Sequence, residues 1–472
     1  SSRDCMSIPS TTTFAGESFL GKRIHFIGIG GSGMSGLARI ALADGITVSG
    51  SDAKDSSVLT ALGALGATVY SRHEASHVDG ADVVIYSTAI SPTNPEIARA
   101  LERSIPIMTR ASALALLMHG FTSIAVAGTH GKTTTSSMAT VAFQACGVDP
   151  SFAIGGTLTA SGSNAHRGSG EFFIAEADES DGSFIAYHPH AAIVTNVEHD
   201  HVDFFKTADE VTTVFKNFAS TIPADGFLIY CEDDAGSRSL GENVNHCTTY
   251  SYGTDPTSDL KIDQIELTAA GSRGRAVWKG TVVGHIELQV PGKHNLLNAA
   301  GTLALAMALE LNPAAFLSGL HSFRGAGRRF ELKATVNGIR VIDDYGHHPT
   351  EIAVTLEAAR RYADTGRVLV IFQPHRYSRT QAFLAQFAES LDVADDVTLL
   401  EIYAASEKPI LGVSSELIAE KMQHGIYLPN FIEAAERIVE IAKPGDVILT
   451  LGAGDVNSLA PIIADGLAKR FG

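Results

Sequence analysis

Short apolar runs alternate along the chain with longer amphipathic segments, and glycine or proline stands at most of the changes. The segments that we interpret as strands lie at residues 22–27, 47–51, 81–87, 106–109, 124–127, 171–175, 192–196, 339–342, 367–372 and 447–451. Strands that alternate with helices are typical of a parallel sheet with the helices packed on its faces. The pattern therefore predicts an α/β protein built on parallel sheets.

The alternation falls into three blocks after a tail rich in serine and threonine. We predict a flexible tail at residues 1–18, a Rossmann-like domain at 19–118, a central domain with a mostly parallel sheet at 119–325, and a second Rossmann-like domain at 326–472. The length of 472 residues agrees with three domains of ~150 residues each.

Two segments of the central block have patterns of their own. Residues 226–289 contain short runs punctuated by glycine, which predict an antiparallel excursion from the sheet. An alanine-rich segment then predicts a long helix at about residues 296–311. Asn295 and Asn298 lie three positions apart near its start, so they share a helical face and can hydrogen-bond an adenine edge. Helix capping is the simpler explanation of these asparagines.

Charge and cysteine content narrow the classes of function. The formal net charge of −17 argues against non-specific binding to nucleic acid or to anionic membranes, because both repel an acidic surface. The four cysteines are widely spaced, which favours reduced thiols of a cytoplasmic protein over a disulfide framework or a zinc site. No apolar run reaches the ~18 residues that a membrane-spanning helix needs. We therefore expect a cytoplasmic protein without a membrane partner.

Residues 124–135 carry the strongest chemical signal, because an apolar strand, a glycine loop and a helix from about Thr133 follow one another. In such a P-loop the backbone N–H groups and the helix N-terminus face a phosphate. Lys132 can reach the β- and γ-phosphates, and the hydroxyl of Thr133 can bind Mg²⁺. Val126 stands where the motif has its first glycine, and a glycine-rich turn with a solvated lysine is the alternative. The ATP-binding candidates are Gly128, Thr129, Gly131, Lys132, Thr133 and Thr134.

Acidic and histidine residues follow two more strands of the central block. Glu176 ends one strand, at the place where P-loop proteins hold Mg²⁺ with an acid. Residues 198–203 follow the next strand and contain His199 and His201 among three acids, which suggests a second site for Mg²⁺, Mn²⁺ or phosphate. Since the carboxyl ends of parallel strands meet at one edge, we expect these residues near the P-loop. A capping acid and a polar surface loop are the alternatives.

The first block contains a second glycine loop. The strand at residues 22–27 leads into Gly28-Ile29-Gly30-Gly31-Ser32-Gly33, and the next strand ends at Asp52. This fingerprint is typical of NAD-binding domains, but a nucleotide-sugar diphosphate satisfies the same geometry. A tight turn that binds nothing is the third possibility. The candidate residues are Gly30, Gly31, Ser32, Gly33, Met34, Ser35 and Asp52, with His73 and Ser87 in later loops that can meet a base.

Two loops of the third block collect histidine and arginine after the strands at residues 339–342 and 367–372. Convergent histidine and arginine side chains at strand ends can hold a carboxylate. The carboxylate-binding candidates are His347, His348, His375, Arg376 and Arg379, and Tyr345 in the first loop is a further candidate for the amino-acid site. The connection at residues 322–330 is basic and jointed by glycine, so it is the expected hinge, and Arg329 can reach a transferring phosphate. Ordinary capped loops and a solvated basic loop are the alternatives.

Taken in order, the stretches GIGGSGMSG, AGTHGKTTT, EADESD, PGKHN, GAGRRF, DDYGHHPTE, FQPHRYSRT and LGAGD resemble the Mur ligases. These enzymes build the peptide of the bacterial cell-wall precursor, and the resemblance covers about residues 19–470. Within the family, the stretches are most similar to the member that joins L-alanine to UDP-N-acetylmuramate. The member that recycles murein tripeptide is the near alternative.

The resemblance implies a nucleotide-sugar-binding domain, a P-loop ATPase-like domain and an amino-acid-binding domain. It implies that ATP phosphorylates the muramyl carboxylate and that the amine of L-alanine attacks the acyl phosphate. Mg²⁺, for which Mn²⁺ can substitute, would bind Thr133, Glu176 and His201. The implied catalytic residues are Lys132, Glu176, His201, Arg329 and His347, with Arg329, Asn295 and Asn298 also at ATP. We expect a monomer or a weak homodimer.

Two hypotheses from other classes remain at this point. An NAD-dependent dehydrogenase would explain the first glycine loop and Asp52, but it would leave the P-loop and its acid without a purpose. A non-enzymatic ATP-dependent switch would use the P-loop, but it would need no amino-acid pocket in the third domain. His199 has no firm role in the resemblance, and no carbamylated lysine can be assigned.

Overall fold

The computed structural model describes residues 8, 14, 18–155, 164–199, 207–325, 330–405 and 407–472. Over these residues the chain forms three β-sheets with helices packed on their faces, which confirms the predicted α/β class. Among the helices of these ranges, none combines the length and the apolar character needed to cross a membrane. Most of the predicted tail lies outside the described residues.

The first sheet carries the first glycine loop at the topological switch point of its strand order. Its strands are β1 (Arg23–Ile27), β2 (Thr47–Ser51), β3 (Thr68–Tyr70), β4 (Val83–Tyr86) and β5 (Ile107–Thr109). Its helices are α1 (Ser32–Ala43), α2 (Ser57–Ala64), α3 (Pro95–Glu102) and α4 (Arg110–Met118). All strands are parallel in the order β3-β2-β1-β4-β5, so the chain leaves β1 in one direction and later returns on its other side. Open α/β sheets bind ligands in the crevice at such a reversal, and the glycine loop after β1 opens into it.

The second sheet has ten strands and carries the P-loop near its middle. Its strands are β6 (Thr122–Ala127), β7 (Ser151–Ala153), β8 (Ala165–His166), β9 (Phe172–Glu176), β10 (Ala191–Val194), β11 (Phe227–Cys231), β12 (Thr248–Gly253), β13 (Leu260–Leu267), β14 (Ser272–Trp278) and β15 (Thr281–Leu288). Its helices are α5 (Lys132–Ala145), α6 (Ser183–Ala186), α7 (Ala208–Ser220), α8 (Ala235–Glu242), α9 (Lys293–Ala308) and α10 (Pro313–Ser322). The order is β15-β14-β13-β12-β11-β10-β6-β9-β7-β8, which puts the ends of β10 and β9 on either side of β6.

The predicted antiparallel excursion at residues 226–289 is wrong in its first half. β11 and β12 pair in parallel with α8 between them, so they continue the parallel sheet. Antiparallel pairing in this segment begins with β13 and β14, where buried positions alternate with half-buried ones at the start of each strand. The helix predicted at residues 296–311 is α9, which begins three residues earlier, after Gly292.

The third sheet is parallel except at one edge. Its strands are β16 (Glu331–Val336), β17 (Ile339–Asp344), β18 (Val368–Phe372), β19 (Asp396–Leu399), β20 (Gly425–Tyr427) and β21 (Val447–Leu451). Its helices are α11 (Pro349–Ala363), α12 (Tyr377–Ala382), α13 (Leu384–Leu391), α14 (Glu416–Glu420), α15 (Phe431–Ile441) and α16 (Leu459–Phe471). The order is β16-β17-β21-β18-β19-β20, and β16 alone among these strands runs antiparallel to its neighbour.

The apolar cores join the first two sheets more closely than the third. Successive residues of β6 point to opposite faces, so Ile124 and Val126 pack with α5 and α9 in one core. Ala125 and Ala127 face a different core, which also contains Leu37 of the first domain. The third sheet has its own cores on its two faces. The first and middle domains therefore share a continuous apolar core.

Candidate active site

The P-loop connects β6 to α5, which begins at Lys132, one residue before the predicted start. Gly131 precedes the helix with φ of 84°, in the left-handed region that favours glycine. Gly128 has φ of 140°, and a Cβ at this position would lie 2.0 Å from Oγ1 of Thr195. The loop can therefore run this close to the end of β10 only because it contains glycine.

Lys132 lies among acidic groups at the start of α5. Its Nζ donates to the carbonyl of Gly128 at 2.8 Å and lies 3.6 Å from Oε2 of Glu179. Burial by itself lowers the pKa of Lys132, but the carboxylates of Glu179, Asp178 and Glu176 outweigh it and raise the pKa above its ordinary value. The lysine is thus a permanent cation at the mouth of the phosphate loop.

Glu176 ends β9 beside the P-loop, as its position in the sequence predicts. Its carboxylate accepts hydrogen bonds from Oγ1 of Thr133 at 3.2 Å, from Oγ of Ser136 at 2.9 Å and from the N–H of Gly155 at 2.6 Å. A hydroxyl and a carboxylate side by side supply the hard oxygen donors that Mg²⁺ prefers. Thr133 and Glu176 therefore fit a magnesium ion at this edge of the sheet.

The first glycine loop borders a pocket of its own, and the sequence analysis missed one of its charged residues. Predicted residues that line this pocket are Gly31, Ser32, Gly33, Met34 and Ser87. Arg110 and Asp181 also line it, and Nη2 of Arg110 lies 2.9 Å from Oδ2 of Asp181. Arg110 is the first residue after β5, so its place at the carboxyl end of a parallel strand was a usable signal.

A second pocket continues from the glycine loop towards the P-loop. Ser32, Gly33 and Arg110 line both pockets, and the second also reaches Glu176 and Asp178. The first glycine loop and the acids that follow β9 therefore line one continuous crevice between the first and middle domains. A ligand that lies with its diphosphate at α1 can extend its other end to the acid beside the P-loop.

Of the remaining residues predicted at the first glycine loop, some hydrogen-bond to its backbone and one lies away from it. Asp52 accepts a hydrogen bond from the N–H of Gly30 at 2.8 Å, and Oγ of Ser35 donates to the carbonyl of Ser32 at 3.1 Å. The structure does not bring His73 to the pocket lining: its Nδ1 lies 3.2 Å from a carboxylate oxygen of the buried Glu96. Because a buried carboxylate needs polar partners, Glu96 holds His73 away from the loop.

A cleft between the middle and third domains collects the asparagines predicted at adenine. Its lining residues are His130, Gly131, Thr134, Asn196, Val290, His294, Asn295, Asn298, Phe323, Gly325, Phe330, Asp344, Thr350, Glu351, Val354 and Thr355. Asn295 is buried and donates to the carbonyl of Pro291 at 2.9 Å, while Asn298 reaches the P-loop beside Gly131. One cleft therefore joins the phosphate loop, both asparagines and α11 of the third domain.

The predicted carboxylate-binding residues of the third domain meet at the ends of β17 and β18. The ring of His347 lies 5.3 Å from that of Tyr345 and 5.6 Å from that of His375, centre to centre. Arg379 is buried and its Nη1 donates to the carbonyl of His375 at 3.2 Å. Arg376 precedes α12 with φ of 73°, and its N–H donates to the carbonyl of Tyr403. Tyr345, His347, His375 and Arg379 thus form one cluster at the carboxyl edge of the sheet, and Arg376 lies next to His375 in the same loop.

Family models match the chain in order, with the descriptions "Mur ligase family, catalytic domain" at residues 23–122, "Mur ligase middle domain" at 126–306 and "Mur ligase, glutamate ligase domain" at 328–454. The UDP-N-acetylmuramate–L-alanine ligase of Acidothermus cellulolyticus is 46% identical over 456 residues, which cover 95% of this chain and 96% of the relative. The chain belongs to the Mur ligase family.

Other relatives also match this Mur ligase over nearly its whole length. The UDP-N-acetylmuramate–L-alanine ligase of Renibacterium salmoninarum is 48% identical over 452 residues, 94% of this chain and 96% of the relative. The crystal structure of the UDP-N-acetylmuramate–alanine ligase of Thermotoga maritima matches with a TM-score of 0.80 at 27% identity, over 95% of this chain and all of that one. A murein peptide ligase of Psychrobacter arcticus matches with a TM-score of 0.71 at 25% identity, over 95% of this chain and 99% of that one. The three-domain α/β fold predicted for this Mur ligase is confirmed.

Two predicted site residues of this Mur ligase, His201 and Arg329, lie outside the described residues. The nearest described neighbours are His199, after β10, and Phe330, before β16. Phe330 lines the cleft between the middle and third domains, and its N–H donates to Asp344 at 2.9 Å. Asp344 is a further cleft residue that the sequence analysis did not single out.

We expect Arg379→Ala to raise the KM for L-alanine by roughly 10- to 150-fold. A charged hydrogen bond to the substrate carboxylate, lost from a buried site, costs about 1.5–3 kcal/mol. Steady-state kinetics at saturating ATP and UDP-N-acetylmuramate measure the effect, with the exposed Lys443→Ala of the same domain as control. An unchanged KM for L-alanine with weakened ATP binding would instead assign Arg379 to the phosphate.

His294 makes stability depend on pH, because burial lowers its pKa from 6.5 to about 4. Between these values the unfolded chain binds a proton at His294 and the folded chain does not, so stability falls as the pH falls. We expect the loss between pH 6.5 and pH 4 to reach about 1–3 kcal/mol, less than the full shift because the residue keeps some exposure to solvent. Thermal unfolding of the wild type and of His294→Asn at both pH values isolates this contribution. Equal pH slopes in both proteins would contradict it, and the exposed His119→Asn serves as control.

Proposed function

We propose that this Mur ligase joins L-alanine to the carboxylate of UDP-N-acetylmuramate in peptidoglycan precursor synthesis, with ATP converted to ADP and phosphate. One observation carries the proposal: the P-loop lies between two sites of different chemistry. The crevice at the first glycine loop suits a nucleotide-sugar diphosphate. The cleft towards the third domain is lined by Glu351, which accepts from the N–H of His347 in the histidine and arginine cluster. Relatives of 46% and 48% identity, named as UDP-N-acetylmuramate–L-alanine ligases over nearly their whole length, support the substrates.

In the first step the muramyl carboxylate takes the γ-phosphoryl group of ATP and forms an acyl phosphate. UDP would lie against α1 and its diphosphate near Arg110, which directs the sugar and its carboxylate along the crevice to Glu176. The ammonium of Lys132 would neutralise charge on the transferring phosphoryl group, and Arg329 is proposed to do the same. Thr133 and Glu176, with His201, would hold Mg²⁺ or Mn²⁺, which supplies charge stabilisation when bound.

In the second step the amine of L-alanine attacks the acyl carbon, and phosphate leaves as the amide bond forms. Arg376 and Arg379 would bind the alanine carboxylate by charge-assisted hydrogen bonds. His347, His375 and Tyr345 border the same site and would orient the amine. Asn295 and Asn298 would face the adenine of the nucleotide in the cleft. The sites for ATP, sugar and amino acid then belong to the middle, first and third domains at residues 119–325, 19–118 and 326–472.

The alternatives differ in what they explain. A murein tripeptide ligase has the same chemistry, but the Psychrobacter arcticus structure of that kind matches with the lower of the two TM-scores. An NAD-dependent dehydrogenase or an ATP-dependent switch would leave either the P-loop or the third-domain cluster unexplained. ATP is a cytoplasmic metabolite, so we propose the cytoplasm as the site of reaction, with a monomer or weak homodimer as the active form.

Phosphate release from ATP tests the proposal directly. The wild-type enzyme should release phosphate at full rate only when UDP-N-acetylmuramate and L-alanine are both present. Replacing L-alanine by murein tripeptide, with the same UDP-sugar, tests the near alternative. Full release without any amino acid would indicate a switch, and a nicotinamide absorbance change with no phosphate release would indicate a dehydrogenase.

A further inference from the structure

The P-loop contacts the third domain through one of its own side chains. Nδ1 of His130 lies 3.1 Å from Oε2 of Glu351, a residue in the first turn of α11. Nε2 of the same ring lies 3.3 Å from Oε2 of Glu198, which follows β10 in the middle domain. The hydroxyl of Thr350 donates to that carboxylate at 3.1 Å. Residues His130, Glu198, Thr350 and Glu351 thus form an interdomain cluster, called the latch below.

The position of His130 is fixed by the middle domain. Its N–H donates to Oδ1 of Asn196 at 2.7 Å, and its carbonyl accepts from Oγ1 of Thr195 at 2.6 Å. Both partners follow β10, so the backbone of the P-loop cannot shift at His130 without breaking two hydrogen bonds to a buried strand end. When the third domain contacts His130, it therefore contacts a fixed part of the P-loop.

Glu351 connects the latch to the proposed alanine site. Its Oε1 accepts from the N–H groups of His347 and His348, both at 3.2 Å, while its Oε2 faces His130. His347 belongs to the histidine and arginine cluster at the ends of β17 and β18. The carboxylate of Glu351 therefore contacts both the loop after β17, where we place L-alanine, and the P-loop, where we place ATP. A shift of this carboxylate would change the distance between L-alanine and ATP.

His130, Glu198 and His348 also have the ligand types of a metal site, since one ligand atom of each lies within 4.8 Å of the others. The hydrogen bonds of His348 argue against that use. Its Nδ1 accepts from the N–H of Thr350 at 3.1 Å as the cap of α11, so the proton of the neutral ring is on Nε2. A metal at Nε2 would need the ring proton on Nδ1, which ends the hydrogen bond from Thr350, and a metal at Nδ1 would displace the cap directly. An interdomain contact between a histidine and two carboxylates fits the cluster better.

We infer that His130, Glu198 and Glu351 are positioning residues that hold the alanine site of the third domain against the ATP loop while the acyl phosphate is present. The inference rests on the proposed function. Hydrogen bonding to His130 is the main reason why the pKa of Glu198 lies below its ordinary value, so this carboxylate is charged near neutral pH. A charged Glu198 also faces the N-terminus of α11, where the helix dipole stabilises a negative charge. Docking brings the amine to the acyl phosphate and shields it from water.

The ratio of phosphate released to amide formed tests the latch. In the wild type this ratio should be one, because each acyl phosphate is captured by L-alanine. In Glu351→Gln and His130→Ala we expect a ratio above one and a KM for L-alanine raised roughly 10- to 100-fold, the scale of a lost charged hydrogen bond. Calorimetry should give a nearly unchanged affinity for UDP-N-acetylmuramate in both variants. Glu357→Gln, on the same helix but largely exposed, is the matched control and should behave as wild type.

The double variant His130→Ala/Glu351→Gln shows whether the two single substitutions act through one shared contact or independently of each other. The combined effect on the KM for L-alanine should be clearly smaller than the product of the single effects, because both changes break the same contact. A ratio of one and an unchanged KM in Glu351→Gln would overturn the inference. Stoichiometric binding of Zn²⁺ to the wild type, lost in His130→Ala, would replace the latch by a metal site. A wild type that needs no L-alanine for phosphate release would instead overturn the proposed function.

Discussion

Lys132→Ala should lower the ligation rate about a thousandfold or more and leave the binding of UDP-N-acetylmuramate nearly unchanged. Removing a preorganised charge that stabilises a transition state raises the activation free energy by about 4 kcal/mol, which corresponds to this loss of rate. The ammonium lies among carboxylates at the start of α5, whereas the glycine loop after β1 borders a different pocket. Lys132→Ala should therefore lose ligation while it still binds UDP-N-acetylmuramate.

Amide formation at saturating substrates and calorimetric titration with UDP-N-acetylmuramate together measure this prediction. Lys216→Ala, an exposed lysine of α7 in the same domain, is the matched control and should keep both activities. An equal loss of UDP-sugar affinity in Lys132→Ala would count against assigning the two ligands to different domains. Retained ligation would remove Lys132 from the phosphate site.

Glu176→Gln should reduce the rate by roughly 100- to 1,000-fold and raise the Mg²⁺ concentration needed for half-maximal activity. The substitution keeps the size of the side chain and an oxygen that can accept from Thr133 or Ser136, but it removes the charge that a cation needs. The fold should persist, because the hydrogen bonds at the end of β9 are largely conserved in the variant.

Activity titrated with Mg²⁺ and with Mn²⁺ distinguishes this effect from a general loss of catalysis. Glu171→Gln, an exposed acid just before β9, changes the same charge away from the P-loop and should leave both titrations unchanged. A Glu176→Gln enzyme with a lower rate but an unchanged Mg²⁺ requirement would show that Glu176 supports Thr133 rather than the metal.

Much of the candidate site was predictable because it lies at the ends of parallel strands. Lys132, Thr133 and Glu176 follow β6 and β9, and the third-domain histidines and arginines follow β17 and β18. Local apolar runs locate such strand ends, and parallel pairing brings them to one edge. Arg110 was missed although it follows β5, because a single arginine in a short helix carries no motif.

His73 shows where this reasoning fails. Its side chain faces Glu96, which the first turn of α3 carries into the interior. Nothing in the sequence around His73 indicates that a buried carboxylate stands opposite. The demand of that carboxylate for hydrogen-bond partners decides the side-chain direction.

The sequence by itself determined the α/β class, the order of the three blocks and the strand ends that carry the chemistry. These properties depend on local periodicity and on loop residues that need particular backbone angles, so they are readable within short windows. The tertiary structure alone decided that β11 and β12 extend the parallel sheet, and that the P-loop meets α11 through His130 and Glu351. Such contacts join segments far apart in the chain, and their energies depend on burial and charge that exist only once the domains pack together.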